Sequence, residues 1–151
     1  MRYSTTGSNE WENSQPVHRS AGSGGNRREL ALAHNGNLIN AVELHAELRE
    51  QGVAFSSTSD SEIIAALLAT HPGPTIDDAI AEVVPRLQGA FSTVVMTKDR
   101  VFAFRDPSGV RPLVLGQLDD TYCVASESCA LDIIGAKLLR DVQPGEMVSI
   151  G

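Results

Sequence analysis

The spacing of apolar positions predicts three helices in the first half of the chain. Apolar residues recur at helical intervals over 41–51, again from residue 60 and again from residue 76. Asn40, Ser59 and Thr75 are the expected N-caps, because each precedes an apolar-periodic segment and carries a side-chain acceptor. A glutamate three positions after Asn40 and Ser59 is typical of a capping box. Pro85 is expected to shorten or kink the third helix.

Strand patterns dominate the second half. Residues 1–28 are polar, and the composition of 20–26 predicts a flexible loop there. Residues 30–33 predict a short buried strand that ends in a turn at 34–37. A short helix is expected from Ser126 to Gly135. Helices followed by hairpin-connected strands favour an α+β fold with a largely antiparallel sheet. The expected strands lie near 90–97, 101–105, 112–116, 121–126 and 147–150.

Composition limits the classes of function. The chain has 151 residues, 42% hydrophobic and 21% charged, which is typical of one globular domain. A net charge of −7 argues against a nucleic-acid partner, which would need clustered Lys and Arg. There is no apolar run of membrane-spanning length and no export signal at the start. With only two cysteines, a cytoplasmic location is expected.

Four polar positions are candidates for binding or catalysis, and each has a simpler explanation. Asn35 and Gly36 place an amide side chain beside an unhindered backbone N–H, a pair that can stabilise an oxyanion; the alternative is a plain Asn-Gly turn. Asp60 at a helix start can bind an ammonium group, or it can simply stabilise the helix through the helix dipole. Arg2 can hold a carboxylate or be a solvated charge. Cys123 and Cys129, each considered alone, are expected to be structural.

Seven motifs cover almost the whole chain. They are RYSTTG (2–7), NSQP (13–16), ALAHNGNL (31–38), SDSE (59–62), RDPSGVRPL (105–113), ASESCALD (125–132) and RDVQPGE (140–146). Taken together they resemble the glutaminase domain of glutamine phosphoribosylpyrophosphate amidotransferase, also called amidophosphoribosyltransferase. Versions of the HNG and RDPxG motifs occur in other class II amidotransferases, whereas the SDSE, ASESCALD and RDVxPGE stretches favour the purine enzyme.

The resemblance implies an α+β fold of the N-terminal-nucleophile hydrolase type, a four-layer αββα sandwich, truncated at its N-terminus. It implies that Arg2 binds the α-carboxylate of glutamine, that Thr5 lines the pocket and that Asp60 binds the α-ammonium. Asn35, through its side chain, and Gly36, through its backbone N–H, would form the oxyanion hole. A zwitterionic substrate requires one fixed cation and one fixed anion, so these roles are chemically consistent.

The family's nucleophile is an N-terminal cysteine, which should precede Arg2. This sequence has no cysteine before Cys123. Residues 1–151 are therefore expected to be a partial class II glutaminase domain without its nucleophile segment and without the C-terminal phosphoribosyltransferase domain. By itself the chain is expected to be inactive.

The resemblance also implies a cofactor and partners for the longer protein. Cys129 would be one of four ligands of a [4Fe–4S] cluster, and Mg²⁺ would act in the phosphoribosyltransferase domain. Glutamine and phosphoribosyl pyrophosphate would be the substrates and 5-phosphoribosylamine the product, in the first committed step of purine synthesis, by an enzyme expected to be a homo-oligomer.

Two alternatives stay open at this point. The chain could be the glutaminase domain of another class II amidotransferase, such as asparagine synthetase or glucosamine-6-phosphate synthase. It could also be a glutamine-binding module that has no nucleophile, since Arg2, Asp60, Asn35 and Gly36 are all retained.

Overall fold

A computed structural model describes residues 13–22 and 27–151 of the chain. These residues divide into two compact units. The first contains, among the described residues, 13–22, 27–33 and 37–89, and the second contains 34–36 and 90–151.

The first unit combines a β-hairpin with three helices. Strands β1 and β2 pair in antiparallel fashion, with Val17 opposite Leu32 and Ala21 opposite Arg28. β1 was not predicted, and its last two residues, Ser20 and Ala21, correct the start of the expected loop. The elements are β1 (Val17–Ala21), β2 (Arg28–Leu38), α1 (Ala41–Glu50), α2 (Asp60–Thr70) and α3 (Ile76–Val83), and a 3₁₀ turn (Val84–Arg86) follows α3.

Helix α2 is the centre of this unit. It packs against β1, α1 and α3, and all its residues from Asp60 to Ala69 are buried. The predicted cap is confirmed, because the side chain of Ser59 accepts a hydrogen bond from the N–H of Glu62 at 3.3 Å. The apolar residues expected to be buried in this helix are buried, and so are the residues between them. A helix contacted on several sides is apolar nearly all round, and α2 has this character.

Helix α1 follows Asn40 as expected, but Asn40 does not cap it with its side chain. The Asn40 side chain donates to the carbonyl of Arg86 at 2.9 Å and accepts from the N–H of Gln88 at 3.0 Å. Val42, expected on the buried face, is 82% exposed. The predicted capping box at this helix is therefore wrong, since the amide side chain ties α1 to the segment after α3.

The start and the end of α3 match the sequence analysis. Thr75 caps the helix in a complete capping box with Asp78. The helix ends at Val83, and Pro85 lies in the 3₁₀ turn that follows. Because proline lacks an N–H, it cannot continue the helical hydrogen-bond ladder, which explains why the helix ends here.

The second unit contains two antiparallel sheets and one short helix. In the first sheet β3, β4 and β8 lie side by side in that order, and residues 34–36 of β2 flank β3. In the second sheet β5 is central, between β6 and β7. The elements are β3 (Gly89–Met96), β4 (Val101–Arg105), β5 (Val114–Leu118), β6 (Thr121–Ala125), α4 (Ser128–Ile134), β7 (Lys137–Asp141) and β8 (Met147–Ile150).

Apolar side chains from both sheets form a common core within the second unit. Helix α4 contacts the strands of the second sheet, and its Leu131 is buried. Gly116 in β5 allows the close approach, because a Cβ there would lie 2.8 Å from a Leu131 methyl group. The α+β class predicted from the element order is confirmed. The core between the sheets contains Ala103, Leu113 and Val142, with Val94, Val124 and Val148 packed against them.

Two further predictions about strands need correction. Residues 34–37, predicted as a turn, continue β2, which runs without a break from Arg28 to Leu38. β7 was not predicted. Its five residues are all exposed, and its sequence, KLLRD, lacks the alternation of apolar and polar residues that predicts a strand.

Candidate functional site

Asn35 lies within β2 and not in a turn. Its side chain is exposed, like that of Ala33, whereas those of Leu32 and His34 are buried. The Asn35 Nδ2 donates a hydrogen bond to the hydroxyl of Ser126 at 3.4 Å. The simpler interpretation of Asn35-Gly36 as a plain turn is therefore wrong, and the amide is presented from a strand.

Gly36 occupies a position that no other residue can take without displacing the backbone. Its φ of +149° lies in a region that L residues rarely adopt. A Cβ built at Gly36 would lie 2.0 Å from the carbonyl oxygen of Ala90 and 2.7 Å from the Cα of Phe91. Glycine is therefore required by a close approach of two backbones, and this approach fixes the peptide that follows Asn35.

Asp106 holds the strand against which Gly36 packs. It is fully buried, and its Oδ2 accepts from the N–H of Phe91 at 3.2 Å. The Asp106 N–H donates to the Phe91 carbonyl at 2.9 Å, so the two residues are linked in both directions. The other carboxylate oxygen accepts from the N–H groups of Ser108 and Val110. A buried carboxylate satisfied by backbone N–H groups is a rigid anchor.

The RDPSG motif has a structural explanation in this arrangement. The guanidinium of Arg105 donates to the carbonyl oxygens of Gly109, Arg111 and Val142 at 2.6–2.8 Å. The N–H of Gly109 donates to the carbonyl of Asp106 at 3.0 Å, which closes a tight turn. The motif therefore folds its own loop and fastens it to β3.

Asp60 is the first residue of α2 and is 4% exposed. Its Oδ2 accepts a hydrogen bond from the backbone N–H of Leu38 at 3.0 Å. A buried carboxylate is costly unless it is hydrogen-bonded; the Leu38 N–H supplies one such bond, and the helix start favours the negative charge. The carboxylate is held between the start of α2 and the last residue of β2.

Glu62, which the sequence analysis treated only as part of a capping box, is the anchor of the loop before α2. Its carboxylate accepts from the N–H and the hydroxyl of both Ser56 and Ser57, at 2.7–3.1 Å, and pairs with Arg19 at 2.9 Å. Burial raises its pKa, but the four hydrogen bonds outweigh burial, and the pKa is lowered from its usual value. The serine pair ahead of the SDSE motif was the available signal.

Arg2 and Thr5, the two remaining glutamine-binding candidates, lie outside the described residues. Two other polar contacts involve the NSQP motif: Asn13 accepts from the N–H of Thr58 at 3.3 Å, and Gln15 donates to the hydroxyl of Ser61 at 3.1 Å. Both contacts reach the segment that leads into and begins α2, which positions Asp60.

The two cysteines differ in exposure. Cys123 in β6 is half-buried beside Gly116, as expected for a small packing residue, whereas Cys129 in α4 is exposed. The Cys129 thiol donates to the carboxylate of Glu127 at 3.8 Å. Across residues 13–22 and 27–151, no three His, Cys, Asp or Glu side chains are grouped as a metal site would require. The described residues therefore do not fit a complete iron–sulfur site, which needs four thiolates.

Comparison with known proteins assigns a family. A family profile described as "Glutamine amidotransferase domain" matches residues 2–132. The chain belongs to the glutamine amidotransferase domain family. Within the part that the structure describes, no helix is both long and apolar enough to span a bilayer.

The most similar relatives include two amidophosphoribosyltransferases. The one from Mycobacterium leprae is 47% identical over 99% of this chain, and the one from Bacillus subtilis is 44% identical over 99%. The chain spans 27% and 31% of their respective lengths.

A solved structure confirms the fold. The B. subtilis glutamine phosphoribosylpyrophosphate amidotransferase, complexed with ADP and GMP, matches with a TM-score of 0.86 and 41% identity, over 94% of this chain and 30% of that one. A second solved structure, of the allosteric regulatory enzyme of purine biosynthesis, also matches with a TM-score of 0.86. This likeness confirms the N-terminal-nucleophile hydrolase fold that the resemblance implies.

Proposed function

We propose that this chain is the glutamine-hydrolysing domain of an amidophosphoribosyltransferase. The proposal rests above all on the 47% identity with such an enzyme over 99% of the chain. In the longer protein, ammonia released from glutamine would replace the pyrophosphate of phosphoribosyl pyrophosphate and give 5-phosphoribosylamine, in the first committed step of purine synthesis. A cytoplasmic location and a homo-oligomeric state belong to the same proposal.

Each candidate residue has a role in the proposed glutamine hydrolysis. Asp60 binds the α-ammonium, while Arg2 binds the α-carboxylate and Thr5 lines the pocket. A thiolate attacks the carboxamide carbon, and the oxyanion that forms accepts hydrogen bonds from the Asn35 Nδ2 and the Gly36 N–H. The proton taken from the thiol passes to the nitrogen, collapse of the intermediate expels ammonia, and water then hydrolyses the thioester to glutamate and frees the thiol. Donors that are fixed before the reaction stabilise the oxyanion most, and the close approach at Gly36 supports this role.

The nucleophile is an N-terminal cysteine in enzymes of this kind, and the sequence has cysteines only at positions 123 and 129. The 151-residue chain should therefore bind glutamine without hydrolysing it. A nucleophile-less glutamine-binding module, the second candidate function, shares this property. Adding an N-terminal cysteine distinguishes the two functions, because only a glutaminase domain would then hydrolyse glutamine.

The binding role of Asp60 is tested on the 151-residue chain by titration calorimetry with glutamine. Asp60→Asn should weaken binding about 10-fold or more, because the substitution removes the charge that faces the ammonium. The matched control is Asp77→Asn, since Asp77 also lies in the first turn of a helix. Equal affinities of the two variants would contradict the role of Asp60.

The hydrolytic role is tested with a fusion protein. A segment that begins with the N-terminal cysteine expected for the family is placed ahead of this chain, and ammonia release from glutamine is measured. Hydrolysis whose kcat falls about 100-fold on Asn35→Ala, with measurable activity left, supports a glutaminase domain. A fusion that binds glutamine and never releases ammonia favours the binding module.

Cys129 as a cluster ligand is a proposal about the longer protein only. Its exposed thiol could supply one ligand, and the other three would have to come from elsewhere. In that protein, Cys129→Ser should abolish the visible absorbance of the cluster, whereas Cys123→Ser should leave it unchanged. Unchanged absorbance in the Cys129 variant would remove this residue from the ligand set. The Mg²⁺ of the phosphoribosyltransferase step likewise concerns the longer protein.

A further inference from the structure

The amide of Asn35 needs a second contact if it is to act as a fixed donor. Its side chain is exposed on β2 and can rotate about two bonds. A donor stabilises an oxyanion effectively only if it is already oriented when the charge develops, because reorientation during the reaction costs energy. The amide nitrogen carries two N–H groups, so one can be used for orientation while the other is left for the substrate.

Ser126 supplies that second contact from a well-fixed position. It follows β6, whose last residue, Ala125, is paired with Val114 of β5. It also precedes Glu127, the N-cap residue of α4, whose carbonyl accepts from the N–H of Ala130 at 3.1 Å. Regular structure on both sides therefore restrains the backbone of Ser126, which is half-buried.

We propose that Ser126 is a positioning residue for glutamine hydrolysis, which holds one N–H of the Asn35 amide so that the other points at the oxyanion. The hydrogen bond from Asn35 Nδ2 to Ser126 Oγ, 3.4 Å long, carries this proposal. It rests on the proposed glutaminase function. It assigns a catalytic reason for the serine in the ASESCALD motif, which packing alone does not require at a half-buried position.

The contact itself is tested by NMR on the 151-residue chain, independently of any activity. In Ser126→Ala, the two side-chain amide protons of Asn35 should shift and their temperature dependence should increase, because one of them loses its acceptor. Ser126→Thr keeps a hydroxyl and should restore the original signals. Ser128→Ala, at an exposed position in the first turn of α4, is the matched control. Asn35 signals that are unchanged in Ser126→Ala would overturn the proposal.

The catalytic consequence is tested in the cysteine-bearing fusion. Ser126→Ala should lower kcat about 3- to 10-fold, as expected for one neutral hydrogen bond, with KM for glutamine unchanged. In the Asn35→Ala background the same substitution should have no further effect, because the group it orients is gone. A reduction of the same size in both backgrounds would indicate a merely structural role and overturn the proposal. A fusion without any glutaminase activity contradicts the proposed function, and the NMR result then decides the Ser126 contact by itself.

Discussion

The close approach at Gly36 gives the sharpest test of the structure. Substitution by alanine adds one methyl group at a point 2.0 Å from the Ala90 carbonyl oxygen, whereas ordinary contact begins at 3.4 Å. The two backbones would therefore have to separate by about 1.4 Å, the difference of these values. Neither of the nearest atoms belongs to a flexible side chain, so no rotamer change can relieve the clash.

Two costs add in Gly36→Ala. Backbone strain at a φ of +149° costs about 1–3 kcal/mol, and moving the paired strand adds the loss of contacts held by Asp106. We expect the free energy of unfolding to fall by about 4 kcal/mol or more, a large part of the 5–15 kcal/mol typical of a domain. In the cysteine-bearing fusion, kcat should fall about 100-fold or more, since an oxyanion donor is displaced.

Gly52→Ala is the matched control, measured beside Gly36→Ala by urea unfolding of the 151-residue chain. Gly52 also has a positive φ, +82°, but nothing lies within 4 Å of its added Cβ. Its alanine variant should lose only about 1–2 kcal/mol, the cost of the left-handed backbone. Equal losses in the two variants would refute the close approach, and with it the reason given for glycine at position 36.

Substitutions at three further positions test the first unit. Glu62→Gln should reduce the free energy of unfolding at neutral pH and make it less dependent on acid. The pKa of Glu62 is lowered in the folded state, so its carboxylate stabilises the fold above the unfolded pKa, and this contribution is lost as the pH falls through the folded pKa. Acid unfolding profiles of the variant and the parent chain that coincide would contradict this. Asn40→Ala should cost about 1–3 kcal/mol in urea unfolding, because the Gln88 N–H and the Arg86 carbonyl lose their partner; a loss below about 0.5 kcal/mol would show that these contacts are dispensable. Thr75→Ala should cost about 0.5–2 kcal/mol through its cap, and Thr75→Ser should recover most of it.

Capping residues and proline predicted correctly those helix ends that depend only on neighbouring residues. Ser59 and Thr75 cap their helices with the neighbouring backbone, and Pro85 ends a helix by its own chemistry, so each could be predicted from a few residues. Asn40 shows the limit of such signals. It stands at an N-cap, yet its amide bonds to a segment far along the chain, which no local pattern reveals.

Strands β1 and β7 could not be predicted for a related reason. β1 is a strand because β2 pairs with it, and β7 because β5 does, while neither has a strongly apolar face. A strand of polar or exposed residues is stabilised mainly by the ladder to its partner. The pairing is non-local, so neither composition nor local pattern indicated a strand at these positions.

In the candidate site too, residue types could be identified from the sequence, whereas the contacts with distant backbone could not. Residue types alone identified an amide beside a glycine and a carboxylate at a helix start. They did not reveal that Gly36 is enforced by the backbone of β3, nor that the N–H of Leu38 holds Asp60. The resemblance to the family supplied the roles, and the structure supplies physical reasons for two of the positions.

The HNG and RDPSG motifs, although distant in sequence, depend on each other within the second unit. Gly36 fits only while the Ala90–Phe91 segment keeps its position, and Asp106 fixes that segment through Phe91. A change at Asp106 should therefore act on the Gly36 peptide without touching it. The buried carboxylate in the RDPSG motif therefore keeps constant the backbone surface against which Gly36 is set.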